Sequence, residues 1–277
     1  MDPLPPGLYI VATPIGNLGD LSPRAADTLC KANLILAEDK RVSAKLLAFA
    51  GAKAPMTTYH DHSSEAERNA IVERLGSEAV ALISDAGTPL ISDPGYKLVR
   101  AARAAGHAVH TVPGPSAAIA ALTLAGLPTD RFLFAGFLPS KAKARDDAIA
   151  ELAAIQATLI LYESGPRLAA SLQALARALG ARDAAVVREI TKLHEECVTG
   201  TLDELAERYG AAAPKGEIVI VAGPPAARAE ASERQLDDAL DEALARLSPS
   251  RAAAEVAELL GIPRKRAYAR ALERSAK

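Results

Sequence analysis

Over the first 222 positions, short apolar runs alternate with amphipathic stretches, the pattern of strands separated by helices. Runs at 8–13, 33–37, 79–84 and 108–112 predict buried strands, each ending in turn-forming or polar residues. Ser22 followed by Pro23 supplies an N-cap with proline at the first helical position, and predicts a helix over 24–32. Helices are expected over 96–105 and 116–125, with Gly106 and Gly126 as their stops. A second set begins near Arg131: strands at 158–162, 184–188 and 217–222, helices around 142–154, 166–179 and 202–209. The expected class is therefore α/β, with layers of helix covering the sheets. Gly126-Leu127-Pro128 marks the join, which gives an N-terminal α/β domain at 1–126 and a second α/β domain at 127–223.

After Gly223-Pro224-Pro225 the pattern changes to helical tail, 224–277. Residues 230–247 carry six acids against two bases, and 248–277 carry seven bases against three acids. Ser248-Pro249 opens one short helix there, Gly261-Ile262-Pro263 makes a turn, and a second helix follows, an arrangement like a helix-turn-helix. Arg264, Lys265, Arg266, Arg270 and Arg274 form a basic stripe that suits RNA. A helical hairpin packing on the main body or on a partner subunit explains the same residues equally well.

Composition narrows the class. A chain of 277 residues, 49% apolar and with a net charge of −2, has the makings of a folded globular protein. Near neutrality gives no global signal for nucleic acid, so any RNA contact must be local. Cys30 and Cys197 are isolated and lack ligand spacing, as expected of reduced thiols in a cytoplasmic protein. No run approaches the roughly 20 apolar residues of a membrane helix, and no signal-peptide pattern opens the chain.

Three loops at predicted strand ends carry the candidate chemistry. The first, 13–20, includes Pro14, Gly16 and Gly19; it is neither G-x-G-x-x-G nor a P-loop. The second, 84–95, holds Gly87, Thr88, Ile91 and two aspartates, and is more elaborate than a connection requires. The third, 112–116, runs into a helix whose free N–H groups suit a carboxylate. Three such loops argue for a binding crevice at the carboxyl edge of a sheet. There is no phosphate-clamping lysine, metal triad or activated-serine motif. S-adenosylmethionine fits that lack: it has no phosphates, and methyl transfer from a sulfonium needs positioning more than a metal.

The segments ATPIGNLGDLSPRA, AEDKR, YHDHSSE, SDAGTPLISDPGY, VPGPSAA, GLPTDRFLFAGFLP, YESGPR, REITK and KGEIVIVAG occur in this order. Together they resemble the tetrapyrrole methylase superfamily, and within it the branch acting on small-subunit ribosomal RNA. The resemblance implies two α/β domains of tetrapyrrole-methylase type with the cofactor in the cleft between them, a homodimer, and 2′-O-methylation of a cytidine at the decoding centre on an assembled small ribosomal subunit. It implies that S-adenosylmethionine touches Pro14, Thr88, Ile91, Ser116 and Ala117, with residues near Leu161, Tyr162 and Arg188 closing the site. The chain departs from the usual pattern at Lys40, where threonine is common, and at Gly165-Pro166.

A ribose hydroxyl is a poor nucleophile at neutral pH, so a base or charge-stabilising donor is expected. Candidates are Glu38 and Asp39 after the second strand, Glu163 with Arg167 four residues on, and Glu189 beside Arg188. Arg41, His60, His62 and Lys192 are candidate RNA contacts, while His60-Asp61-His62 is a poor metal site. Two other readings stand beside this one: a tetrapyrrole or diphthine-type methyltransferase of the same fold, and a non-catalytic RNA-binding assembly factor.

Overall fold

The computed structural model describes residues 3–60, 62–211, 213–225 and 232–275. The chain divides into two compact units, Met1–Pro224 and Pro225–Lys277. The first contains β1 (Gly7–Val11), α1 (Pro23–Lys31), β2 (Leu34–Ala37), α2 (Lys40–Ala50), β3 (Met56–Thr58), α3 (Glu65–Arg74), β4 (Ala79–Leu82), α4 (Tyr96–Ala104), β5 (Val109–Val112) and α5 (Ala117–Leu124). It continues with β6 (Phe132–Phe137), α6 (Ala142–Ala153), β7 (Thr158–Ser164), α7 (Gly165–Leu179), β8 (Asp183–Arg188), β9 (Glu196–Thr201), α8 (Leu202–Gly210) and β10 (Glu217–Ala222).

The first sheet is wholly parallel, in the order β3-β2-β4-β1-β5. All residues of β2 and β4 are buried, as strands covered on both faces must be. One face packs on Leu29 and Leu47, the other on Tyr59, Leu75 and Leu98. Each such apolar side chain contributes about 1.5–3 kcal/mol on burial. As expected, Ser22 caps α1, its hydroxyl accepting from the Ala25 N–H at 3.1 Å. Gly106 and Gly126 follow α4 and α5 with φ of 78° and 67°, left-handed conformations that glycine adopts without strain.

The second sheet is mixed, in the order β6-β7-β10-β8-β9, with β6 and β7 parallel and the other pairs antiparallel. Its far face is buried under α7 and α8, with Leu161, Leu168, Leu172 and Leu205 in the core. Its near face is covered by α5, through Ala118, Ala121 and Leu122 against Ile160, Val187 and Val219. By packing, α5 thus belongs with the second sheet, although the sequence grouped it with the first.

Five elements carried no clear sequence signal. β3 is a three-residue edge strand, and β9 is a half-buried edge strand of mixed polarity. β6 is interrupted by a register shift between Phe134 and Gly136. In α2 and α3 only three and two residues are buried, so their apolar stripes are faint.

The second unit is three helices, α9 (Glu233–Leu244), α10 (Pro249–Leu260) and α11 (Arg264–Ser275), around Leu236, Leu240, Val256 and Ala271. Its opposite charges cancel internally. Glu233, Asp237 and Asp241, four residues apart on α9, face Arg266, Arg270 and Arg274, four apart on α11. Arg266 donates to Glu233 at 2.7 Å, Arg270 grips Asp237 with two bonds at 2.6 and 2.7 Å, and Arg274 bonds both Asp241 and Asp237. The five-base stripe is therefore corrected: three of its members are rungs of an ion-pair ladder. Arg264 and Lys265, with Ser250 and Tyr268, line a shallow hollow and pair with no carboxylate among the described residues.

Candidate active site

Strand order decides where the three loops meet. β1 lies between β4 and β5, and because all three run in parallel, the loops leaving them emerge side by side on one edge. They are also laced together. Thr13 and Gly87 exchange two backbone hydrogen bonds, at 2.8 and 3.1 Å, and the Thr88 hydroxyl donates to the Pro115 carbonyl at 2.9 Å. At Gly114 an added Cβ would lie 3.0 Å from the Ala12 Cβ, so the third loop approaches the first closely.

These loops wall a cavity of about 280 Å³, closed on the other side by the second sheet and the loop after β8. Ile15, Gly87, Thr88, Ile91, Ser116 and Ala117 line it from the first side, and Tyr162, Ile218 and Val219 from the second. The Tyr162 hydroxyl accepts the Ala118 N–H at 3.2 Å, so this residue supports the start of α5 as well as the wall. Its ring meets Phe134 and Phe137 edge-on at 4.8 and 5.5 Å, and burial pushes its pKa up. Ile91 and Phe137 remain exposed along the rim, apolar surface of the kind that a ligand covers.

Other candidates sit elsewhere. Pro14 is buried beside Ile15 without lining the cavity, and Gly16 lies under the Lys192 side chain, which an added Cβ would meet at 2.7 Å. Leu161 is a correction: strand alternation turns it to the far face, into the core beneath α7. Arg188 is another, because its guanidinium pairs with Glu196 across the β8–β9 ladder at 2.6 Å instead of facing the cavity.

Among the carboxylates, Glu38, Glu163 and Glu189 line the cavity and Asp39 does not. Asp39 caps α2, accepting from the Arg41 N–H at 2.8 Å, and hydrogen bonds from the Arg41 side chain hold its carboxyl below the usual range. Glu163 is 2% exposed and committed to structure, accepting from Ser171 at 2.6 Å and Ser164 at 2.8 Å and pairing with Arg167 at 3.2 Å. Glu189 pairs with Lys192 at 3.0 Å. Arg41, His60 and His62 are exposed and lie outside the cavity lining, and Asp61 lies outside the described residues. Among the described residues no group of three or more His, Cys, Asp or Glu is placed to hold a metal ion.

Three cavity carboxylates were missed in the sequence: Asp85, Asp93 and Glu217. Asp93 is half-buried and its pKa rises to about 6, chiefly through burial and further through the charges of Glu38, Asp85 and Glu217, against a lowering hydrogen bond from Ser84. Two aspartates in the 84–95 loop were the available signal, but only the fold shows which one is desolvated. The pair at 165–166 also finds its reason: a Cβ at Gly165 would sit 1.7 Å from the Pro214 carbonyl oxygen.

One parallel and one mixed α/β sheet, with a cavity between them at the strand ends, is an arrangement that the tetrapyrrole methylases share. Residues 7–206 match the family model described as Tetrapyrrole (Corrin/Porphyrin) Methylases, and 230–275 match one described as RsmI C-terminal HTH domain. Solved structures agree on the fold: diphthine synthase, at 16% identity, gives a TM-score of 0.62 over 78% of this chain and 89% of that one. Uroporphyrin-III C-methyl transferase from Thermus thermophilus, complexed with S-adenyl homocysteine, gives 0.53 at 21% identity over 78% and 97%. Proteins named Ribosomal RNA small subunit methyltransferase I are far more similar. That of Mesorhizobium japonicum is 50% identical over 98% of this chain and 93% of its own length; that of Erythrobacter litoralis is 53% identical over 98% and 96%. The chain belongs to the ribosomal RNA small subunit methyltransferase I family, within the tetrapyrrole methylases. It is a methyltransferase.

Proposed function

We propose that this chain transfers the methyl group of S-adenosylmethionine to the 2′-hydroxyl of a cytidine in small-subunit ribosomal RNA, at the decoding centre of an assembled subunit, as a cytoplasmic homodimer. One observation carries the reading: three loops from β1, β4 and β5 converge on one cavity rimmed with carboxylates, in a chain half identical to ribosomal RNA methyltransferases.

The residues present fit this cofactor. Ile15, Ile91, Ile218 and Val219 offer apolar surface to an adenine, Thr88 and Ser116 offer hydroxyls, and Glu38, Asp85 and Glu217 offer negative potential to a sulfonium and an ammonium. Bound there, the cofactor supplies an electrophilic methyl carbon. The protein's share is to hold that carbon in line with the ribose oxygen, to exclude water and to accept a proton. Lys192, fixed by Glu189 over Gly16, and, in the separate second unit, Arg264 and Lys265 are the candidate cations for phosphate contact.

The test uses small subunits from cells lacking the gene, incubated with the protein and S-adenosylmethionine carrying a radiolabelled methyl group. Label at a cytidine 2′-oxygen is the expected result. Cofactor binding with no label in the RNA overturns the assignment of acceptor.

A further inference from the structure

The cavity holds six carboxylates, and geometry sorts them by what each is free to do. Glu163 is consumed by Ser164, Arg167 and Ser171, and Glu189 by Lys192. The Asp85 carboxylate accepts the Asp39 N–H at 3.0 Å, which fixes the entry to α2. Glu217 is exposed at the start of β10. Glu38 is half-buried and holds a negative charge at the same end of the cavity as Asp93.

Asp93, unlike Glu163 and Glu189, has no cation paired with it among the described residues, and it too lies in a strained loop, as Glu189 (φ 51°) does. The loop that carries it is forced into left-handed backbone at Leu90 (φ 74°) and Ser92 (φ 63°), conformations that cost a non-glycine residue about 1 kcal/mol or more and persist where the surroundings over-determine them. Those surroundings are visible. Leu90 packs in the core beneath the first sheet. Gly95 stands where a Cβ would meet Leu82 at 2.7 Å. Ser92 Oγ lies 3.3 Å from where a Cβ at Gly136 would be, in the irregular part of β6. Between these anchors Asp93 is turned into the cavity, with a hydrogen bond from the buried Ser84.

We propose that Asp93 is the catalytic proton acceptor for the ribose hydroxyl; this rests on the reading of the site given above. As the ribose oxygen bonds to the methyl carbon, the sulfur–carbon bond breaks with its electron pair left on sulfur, and the hydroxyl proton passes to the Asp93 carboxylate and then to water. A general base works best with a pKa near the working pH. Burial, together with the charges of Glu38, Asp85 and Glu217, raises the basicity of Asp93, yet at pH 7–8 it is still ionised. Tyr162 faces it from β7, and Lys192, held by Glu189, carries the positive charge of the opposite wall.

Asp93→Asn keeps the shape and removes the base. The expected result is a loss in kcat of about a hundredfold or more, with the S-adenosylmethionine Kd, measured by calorimetry, within about twofold of the parent. In the cofactor-free protein, difference infrared spectroscopy should show a carboxyl band titrating at about 6 that vanishes in Asp93→Asn. The acidic limb of the rate profile follows that group: Glu38→Gln, removing a like charge, moves both limb and band to lower pH, and Ser84→Ala, removing the bond that favours the carboxylate, moves them to higher pH. An Asp93→Asn enzyme that keeps its turnover and acidic limb overturns the proposal, as does one that loses cofactor binding. A parent protein that binds cofactor and methylates no RNA sinks the proposed function instead.

Discussion

A carboxylate pushed up in the folded state destabilises the protein wherever it is ionised, so Asp93→Asn should make the enzyme more stable while disabling it. The native pKa of Asp93 is about 6 against an ordinary 3.8. Between those values the native state holds more protons than the unfolded chain, so stability falls as pH rises through that window. At 1.36 kcal/mol per unit the ceiling is about 3 kcal/mol; solvent screening at this half-buried site brings the expectation to about 1–2 kcal/mol. Asparagine carries no charge at any pH. The gain over the parent should therefore be full at pH 7.5, shrink below pH 6 and be nearly absent at pH 4. For a chain of this size that corresponds to roughly 2–8 °C in Tm at pH 7.5. Thermal unfolding of parent and variant at pH 4, 5, 6 and 7.5, followed by circular dichroism, measures it. A Tm difference that stays constant across that range refutes the account of Asp93 as a desolvated, like-charge-crowded group.

Other perturbations probe the rest of the molecule. Thr88→Arg places a long cation in the cavity and breaks the bond to Pro115; calorimetry should show S-adenosylmethionine binding abolished with the circular dichroism spectrum retained. Gly165→Ala puts a methyl group on the Pro214 carbonyl oxygen, and the forced shift should cost about 1–3 kcal/mol, read in urea unfolding. Glu163→Gln weakens charge-assisted bonds from Ser171 and Arg167, with an expected loss of about 1.5–3 kcal/mol and a smaller fall in turnover than Asp93→Asn. Replacing Arg264 and Lys265 together by alanine should lower RNA affinity and reduce the salt slope by roughly 1–2. Alanine at Arg266, Arg270 and Arg274 should instead lower the stability of the three-helix unit by about 1–3 kcal/mol in all, read as an earlier loss of its helicity on heating.

Local order was legible in the chain itself. The buried runs of β1, β2 and β4 and the cap at Ser22 are written in neighbouring residues, because strand burial and capping depend on a few adjacent side chains, whereas β5, expected to be buried, is an edge strand with His110 and Thr111 exposed. The loops at 13–20, 84–95 and 112–116 stood out by their glycines and prolines. What they build was decided elsewhere. Putting β1 between β4 and β5 is a matter of sheet order, which no local pattern encodes, and that order brings the three loops to one cavity. The basic stripe of the tail was equally visible, but only the packing of α9 on α11 turned three of its arginines from RNA candidates into ladder rungs. Asp93 is the sharpest case. Its identity is one letter among 34 acids, and its basicity comes from burial and from the charges at 38, 85 and 217, which meet it only when both sheets have formed. Charge is a property of the chain, whereas desolvation and the nearness of other charges are properties of the fold.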